Sequence, residues 1–302
     1  MKRESKSANR KFKSGFVGIF GQPNVGKSTL MNELVGEKLS GISPKPQTTR
    51  GVIRGILSQR EGQIVFLDTP GIHKPQDHLG HWMMHEIEKA LEGLDVVYQM
   101  VLPNRIQPAD EQILEKLKKA NVPVILVISQ VDRYPKENIL LVLEHYAKQD
   151  FYKEMIPVSA QKNIQLDVLV KKTLELLPAG EPHFPDDIVS DQQERTFVEE
   201  IIREKIFRIM MQELPYSAAV VIESFKERRP GLIDIEATIV VEKDSQKKMM
   251  IGQGGLTLKE IGQKARLDIE QFLDSKVFLQ LWVKTLPNWK KDDQALKRLG
   301  YT

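Results

Sequence analysis

The sequence predicts an α/β protein in which a domain with a mostly parallel, helix-covered sheet precedes a smaller α+β domain. Three observations lead to this fold class. From Phe16 to about Leu177, short β-branched runs alternate with longer helical patterns, which is typical of parallel strands joined by helices. Residues 178–187 hold three prolines and one glycine among polar residues, as expected of a linker. Beyond residue 189 the pattern changes to helix, strand, strand, helix, helix, strand.

The strand patterns of the first domain are, in order, FVGIF, GVIRGIL, IVFLDTP, DVVYQMVL, VPVILVIS and EMIPVSA. In the second domain, apolar and polar residues alternate from Ile233 to Ile239, which indicates a half-buried strand, and KVFLQLWVK is the last strand. We therefore divide the chain into a basic tail (1–14), a first domain (15–177), a linker (178–188) and a second domain with a C-terminal tail (189–302).

Composition narrows the class of protein. The chain has 302 residues, 41% of them hydrophobic and 28% charged, which is ordinary for folded proteins. It contains no cysteine, so disulfides, thiolate metal sites and cysteine nucleophiles are excluded. No apolar run is long enough to span a bilayer. The tail carries a local net charge of +5 over residues 1–13 without an apolar stretch after it, so it is not a secretory signal. We expect a cytoplasmic protein whose tail is either simply frayed or in peripheral contact with anionic lipid of the inner membrane.

The residues from Gly21 to Ser28 match the phosphate-loop pattern GxxxxGK[ST]. The match follows the strand FVGIF and opens a helix, which is where the mechanism needs it. Backbone N–H groups of such a loop surround phosphates, its lysine reaches the β- and γ-phosphates, and its serine hydroxyl binds Mg²⁺. The sequence therefore predicts a nucleotide site built on Gly21, Gln22, Pro23, Asn24, Val25, Gly26, Lys27, Ser28 and Thr29.

A second motif, Asp68-Thr69-Pro70-Gly71, ends the strand IVFLD. The Asp68 carboxylate then lies at the carboxyl edge of the sheet, where it can support Mg²⁺, and the Gly71 N–H can reach a γ-phosphate. On its own DxxG is a common turn, but 40 residues after a phosphate loop it indicates a nucleotide-responsive segment.

These motifs, together with PQTTR at 46–50, resemble the Era branch of the translation-factor-class GTPases. The resemblance implies GTP and GDP as ligands, Mg²⁺ as cofactor, and Lys27, Gly71 and a switch threonine as catalytic groups. That threonine is Thr48 or Thr49, and the sequence does not choose between them. The resemblance also implies that Ser159, Ala160 and Gln161 form a loop facing guanine.

The sequence departs from the family where guanine is read. The usual Asn-Lys-x-Asp is Ser129-Gln130-Val131-Asp132 here. Asp132 can still accept hydrogen bonds from the guanine N1–H and amino group. We expect Ser129 to be too short for the contacts of the family's asparagine, and Gln130 lacks the cationic stem that covers the base. Each loss is worth about 1–3 kcal/mol, so weakened guanine binding and a degenerate site are both open.

Two further residues bear on hydrolysis. Ile72 stands where some GTPases carry a glutamine that orients water, so we expect slow intrinsic hydrolysis. Asn24 is a candidate for holding K⁺ near the phosphates, as its counterpart does in similar GTPases; the alternative is an amide that only stabilises the loop.

The second domain has the element order of a type II KH domain, and Gly252-Gln253-Gly254-Gly255 matches its GxxG loop. Such a loop clamps about four single-stranded nucleotides beside an apolar groove. Ten basic residues against five acidic ones between Lys243 and Lys291 give this region a local net charge of +5. The predicted RNA-binding residues are Lys247, Lys248, Ile251, Gly252, Gln253, Gly254, Gly255 and Lys259.

The resemblance to the Era branch continues through EIIREKIF and the terminal LGY, and thus covers nearly the whole chain. Gln253 stands where a cationic residue is usual, which removes one phosphate contact and lowers the salt slope of RNA binding by about one. Trp282 and Trp289 are both candidates for stacking on bases, although we expect Trp282, in an alternating strand, to lie in the core.

The resulting hypothesis is a GTPase whose nucleotide state gates binding of single-stranded RNA. Through the resemblance, the RNA is the 3′ end of 16S ribosomal RNA on the 30S subunit, and we expect a monomer. Two alternatives remain: an RNA-binding assembly factor with a degenerate nucleotide site, and an NTPase of altered base preference.

Overall fold

The computed structural model describes residues 11–43, 45, 48–72, 75–104, 106–211 and 213–301. The predicted basic tail lies mostly outside the described residues, as do Pro46 and Gln47 of the PQTTR motif. The first strand begins at Lys13, inside the segment predicted as tail. Within the described residues, no helix is long and apolar enough to cross a membrane.

Six described strands form the sheet of the first domain, in the spatial order β2-β3-β1-β4-β5-β6. Strand β2 is antiparallel to β3, and all other neighbours are parallel, so the predicted mostly parallel sheet is confirmed. The strands are β1 (Lys13–Gly21), β2 (Ile53–Gln59), β3 (Gly62–Asp68), β4 (Val96–Val101), β5 (Val124–Ile128) and β6 (Glu154–Pro157).

Helices cover both faces of this sheet because its strands are apolar on both sides. Alternate residues of β1 illustrate this: Val17 and Ile19 pack on one face, and Phe20 packs on the other. The first face is covered by α1 (Lys27–Val35) and α5 (Leu166–Leu176). The second is covered by α2 (His78–Leu91), α3 (Pro108–Ala120) and α4 (Lys136–Ala147).

The second domain has the predicted order of elements. It consists of α6 (Glu194–Ile209), β7 (Ala219–Arg229), β8 (Leu232–Val241), α7 (Asp244–Ile251), α8 (Leu256–Leu273) and β9 (Lys276–Thr285). Its sheet has the order β7-β8-β9, with β7 antiparallel and β9 parallel to β8. One face of the sheet is buried against the three helices, around Ile235, Ala237 and Ile239.

A C-terminal segment from Trp289 to Tyr301, which includes α9 (Asp293–Arg298), joins the two domains. Trp289 and Tyr301 pack in one apolar cluster with Leu79 and Met83 of α2. The segment 289–301 therefore packs against the helix that follows the DTPG motif.

The predicted linker contains no regular helix or strand, yet it is held against the first domain. Gln63 of β3 is fully buried, and its side chain hydrogen-bonds through both its amide atoms. Its Nε2 donates to the Ser58 hydroxyl and the Phe184 carbonyl, and its Oε1 accepts from the backbone N–H groups of His183 and Phe184. A buried amide thus fixes the path of the chain between the domains.

Replacing Gln63 by leucine should lower the free energy of unfolding by about 2–3 kcal/mol, because the two linker N–H groups lose their acceptor in a buried place. Urea unfolding measures this, and limited proteolysis should cut within 178–188 faster. The exposed Gln59→Leu at the end of β2 is the matched control, and equal stability of the two variants would contradict the assigned role.

Candidate functional site

The phosphate loop connects β1 to α1 and lines a cavity of about 420 Å³. Asn24 and Gly26 adopt left-handed backbone conformations, with φ of 64° and 102°. Gly71 lies so close to this loop that a Cβ there would be 2.8 Å from the Pro23 nitrogen. The DTPG segment can therefore approach the loop only with glycine at position 71.

Lys27 is buried at the base of the cavity, where its ammonium group donates to the carbonyls of Gly21 and Gln22 at 3.2 and 3.0 Å. Burial lowers the pKa of Lys27 to about 8, and the nearby Asp68 carboxylate opposes this shift. An anionic ligand in the cavity would favour the charged ammonium.

Hydroxyl groups converge on the Asp68 carboxylate at the end of β3. Ser28 and Ser40 donate to Asp68 Oδ2 at 2.6 and 2.8 Å, and Thr49 Oγ1 lies 3.1 Å from Ser28 Oγ. Burial raises the pKa of Asp68, with Lys27 opposing it. Asp68 Oδ1 is buried and has no hydrogen-bond partner among the described residues. A divalent cation satisfies such an oxygen, so these residues fit Mg²⁺.

Magnesium would be held here by Ser28 and Thr49 with Asp68 in support, and it would neutralise charge on the β- and γ-phosphates. Thr48 makes other contacts: its hydroxyl donates to Ser43 Oγ and to the Lys45 carbonyl. Of the two candidate threonines, the geometry therefore favours Thr49.

The cavity brings together most of the predicted nucleotide-binding residues. Its lining includes residues 23–29, Thr48, Thr49, Thr69, Gly71, Ser129, Gln130, Asp132, Ser159, Ala160 and Gln161. Gly21, Gln22, Asp68 and Pro70 are not part of this lining. The sequence analysis missed Ser40, which is held by Asn32, and Arg133, which lines the cavity beside Asp132. A polar residue at position 40 gives no signal without the fold.

The GxxG loop joins α7 to α8. Gly252, Gly254 and Gly255 all have positive φ, and a Cβ on Gly252 would lie 2.1 Å from Thr257 Oγ1. Backbone geometry thus requires glycine here, beyond the predicted need to leave room for phosphates. Lys248, Gln253 and Lys259 are exposed, whereas Lys247 and Ile251 are half-buried. Exposed Met249 and Leu256 flank the loop and supply apolar surface that the sequence analysis missed.

Comparison with known proteins agrees with both domains. The family model described as 50S ribosome-binding GTPase matches residues 16–130, and a KH domain model matches residues 213–290. GTPase Era of Clostridium kluyveri is 46% identical over 290 residues, which cover 96% of this chain and 99% of that protein. The chain belongs to the Era family of GTPases.

Two solved Era structures have the same fold over 96% of this chain, each with a TM-score of 0.92 and 42% identity. One is a single-residue variant of Aquifex aeolicus Era bound to GDP·AlF4⁻, of which the match covers 100%. The other is Era in complex with MgGDPNP and nucleotides 1506–1542 of 16S ribosomal RNA, covered to 99%. The resemblance predicted from the motifs is confirmed.

Two side chains of the altered guanine motif in this Era-family chain contact the phosphate loop. The Ser129 hydroxyl donates to the Val25 carbonyl in the phosphate loop at 2.6 Å. Because β5 ends next to the loop, the serine is long enough to reach it. That serine is too short for the contacts of the family's asparagine stays a prediction. Gln130 Nε2 donates to the Asn24 carbonyl at 3.1 Å, so this side chain also contacts the phosphate loop.

The segment that carries Thr49 is anchored on the KH domain. Arg50 is buried, and its guanidinium donates to the Tyr301 hydroxyl at 3.0 Å and to the Tyr216 carbonyl at 3.1 Å. It also lies over the Trp289 ring, 5.7 Å from the centroid. Neighbouring residues thus contact the magnesium site and the second domain.

Further contacts hold the same segment on the KH domain. Lys38 forms ion pairs with Glu204 of α6 and Asp268 of α8, and Arg208 donates to the Ile42 carbonyl. Lys45 donates to the Met210 carbonyl. The described residues of this segment, 38–43, 45 and 48–50, therefore lie between the nucleotide cavity and helix α6.

The expectations for the two tryptophans are wrong. Trp289 is completely buried, and its ring N–H donates to the Ser217 carbonyl, so it is unavailable to RNA bases. Trp282 is 56% exposed on β9, on the sheet face opposite the helices, as is Phe278. The alternation in β9 was recognised correctly, but the face that carries Trp282 is the open one.

Gln22 points away from the cavity and donates to the Asp110 carboxylate of α3 at 2.8 Å. Burial raises the pKa of Asp110 to about 6, the Gln22 hydrogen bond opposes the shift, and the neighbouring Glu111 adds to it. The folded protein therefore binds a proton at Asp110 more tightly than the unfolded chain does. Stability falls as the pH rises from about 4 to about 6.

Asp110→Asn should therefore match the wild type near pH 4 and exceed its free energy of unfolding by up to about 3 kcal/mol at pH 8. Denaturant unfolding across this pH range measures the difference. Glu115→Gln, an exposed change on the same helix, should show no such trend; a constant offset for Asp110→Asn would contradict the assigned pKa.

Proposed function

We propose that this chain binds and hydrolyses GTP with Mg²⁺, and that the bound nucleotide gates its grip on the single-stranded 3′ end of 16S ribosomal RNA during assembly of the 30S subunit. The observation that carries the proposal is the adjacency of Thr49, at the magnesium site, and Arg50, buried against the KH domain. A change in the position of Thr49 is passed along one peptide bond to the second domain.

The chemical roles follow from the geometry. Lys27 and the N-terminus of α1 would hold the β- and γ-phosphates, and the Gly71 N–H would meet the γ-phosphate. Asp132 would accept hydrogen bonds from guanine, with Ser159, Ala160 and Gln161 on the other side of the base. Ile72 packs among apolar residues and cannot orient water, so hydrolysis is slow until another group assists.

RNA binding would use the GxxG loop, with Lys248 and Lys259 contacting phosphates and Met249 and Leu256 contacting bases. The proposal includes three subsidiary points: the protein acts as a cytoplasmic monomer, the basic tail makes peripheral contact with anionic inner membrane, and Asn24 helps to hold K⁺. Each rests on the sequence or on the resemblance.

Calorimetric titration with GDP, a GTP analogue and an ATP analogue, each with Mg²⁺, tests the nucleotide part. We expect selective guanine binding that Lys27→Ala weakens about a hundredfold, because the phosphates lose a buried charged donor. Lys116→Ala, an exposed change on α3, is the matched control.

Two results would contradict this assignment. No binding by the wild type, with RNA affinity unchanged by Lys27→Ala, would identify an RNA-binding factor with a degenerate nucleotide site. Equal affinity for the ATP analogue would identify an NTPase of altered base preference. The first alternative is supported by the glutamine at position 130, where the family has a lysine.

The coupling is tested by Tyr301→Phe, which removes the hydroxyl that accepts from the buried Arg50. The unpaired N–H costs about 1–3 kcal/mol and loosens the contact between the switch segment and the KH domain. We expect the ratio of RNA affinities with GTP analogue and with GDP to move towards one, as measured by fluorescence anisotropy.

Tyr216→Phe is the control for this experiment, because Arg50 hydrogen-bonds to the backbone carbonyl of Tyr216, which the substitution keeps. An unchanged affinity ratio in Tyr301→Phe would show that the nucleotide signal travels by another route.

A further inference from the structure

Four polar residues form a continuous hydrogen-bonded chain on the base side of the nucleotide cavity. Gln130 Nε2 donates to the Asn24 carbonyl at 3.1 Å. Arg133 Nη1 donates to Gln130 Oε1 at 3.2 Å, and Arg133 Nη2 donates to Gln161 Oε1 at 2.9 Å. The guanidinium thus bridges the loop that carries Asp132 and the loop at 159–161.

We propose that Arg133 covers the guanine base by stacking, in place of the cationic side chain that is missing at position 130. The inference rests on the proposed function, since it requires a purine nucleotide in this cavity. It assigns a specificity-determining role to a residue outside the altered four-residue motif.

The chemistry of the guanidinium supports this role. Its N–H groups lie in the plane of the group, so the two hydrogen bonds to glutamine oxygens use the edge and leave both faces for a planar ring. Arginine stacks on aromatic rings, and the delocalised cation is attracted to their π-electrons.

The position of Arg133 is fixed by the local backbone. Gln130 has φ of 56°, which begins the short 3-10 helix Val131–Arg133. This helix turn places Asp132 and Arg133 side by side in the lining of the cavity. One residue is thus available for the edge of the base and its neighbour for the face.

The hydrogen bonds of Gln130 explain why a glutamine at this position suits the proposed role of Arg133. The amide of Gln130 both donates to the phosphate loop and accepts from Arg133, which a lysine at this position cannot do. The glutamine that replaces the family's lysine therefore holds Arg133 in position. The same substitution removes one cation and positions another.

Calorimetry with Arg133→Ala tests the proposal. We expect the dissociation constants of GDP and of inosine diphosphate to rise by the same factor of about ten, because stacking does not depend on the amino group that Asp132 reads. The affinity for pyrophosphate, which has no base, should be the same in Arg133→Ala and in the wild type. Lys136→Ala removes one exposed positive charge at the start of α4 and should leave all three ligands unaffected.

A second variant makes the test independent of local disturbance. Adding Gln130→Lys to Arg133→Ala supplies a cationic stem at the usual place and should restore most of the GDP affinity. Arg133→Lys keeps the charge without the planar group and should lie between wild type and alanine.

The inference is overturned if Arg133→Ala binds GDP as the wild type does, or if pyrophosphate loses affinity by the same factor, which would assign Arg133 to the phosphates. Failure of the double variant to recover GDP affinity also counts against it. Failure of the proposed function is recognised separately, because then the wild type itself binds neither GDP nor inosine diphosphate.

Discussion

The burial of one guanidinium group organises this molecule. A charged group removed from water needs compensating partners, and those of Arg50 lie in the second domain: a tyrosine hydroxyl, backbone carbonyls and the face of Trp289. Because Arg50 follows Thr49, the contact that secures the domain interface adjoins the group of hydroxyls around Asp68. The two cannot be altered independently.

The same aromatic cluster also contacts helix α2, which follows the DTPG motif. Trp82 of α2 contacts the Tyr301 ring at 5.0 Å, edge to face, and Leu79 and Met83 pack beside it. Helix α2 follows the DTPG motif, so this segment and the segment that carries Thr49 both lead to contacts with residues 289–301. Packed interfaces of this kind change between discrete arrangements rather than deforming gradually, which suits a gate.

Prediction from sequence succeeded where function is written in consecutive residues. The phosphate loop and the GxxG loop have local backbone reasons for glycine, since Gly26, Gly252, Gly254 and Gly255 have positive φ, and hydrophobic periodicity located the strands of both sheets. Prediction failed where the role of a residue depends on contacts with residues far away in the sequence. Alternation in β9 marks two faces without saying which is covered, so Trp282 was misplaced. Arg50 gained its role only when the two domains packed together, and Ser40 only when its segment folded against Asn32 and Asp68.

The two altered residues of the guanine motif, Ser129 and Gln130, still contact the phosphate loop. Position 129, at the end of β5, is close enough to the phosphate loop for a serine hydroxyl to hydrogen-bond to the Val25 carbonyl. The change at position 130 is different, because glutamine offers no cation to a base. The side-chain oxygen of Gln130 accepts a hydrogen bond from Arg133, so the cation proposed to cover the base lies three residues further along the same loop. A motif defined by residue spacing does not show that Arg133 takes over from the cation missing at position 130. The hydrogen bonds that a glutamine at position 130 can form do show it.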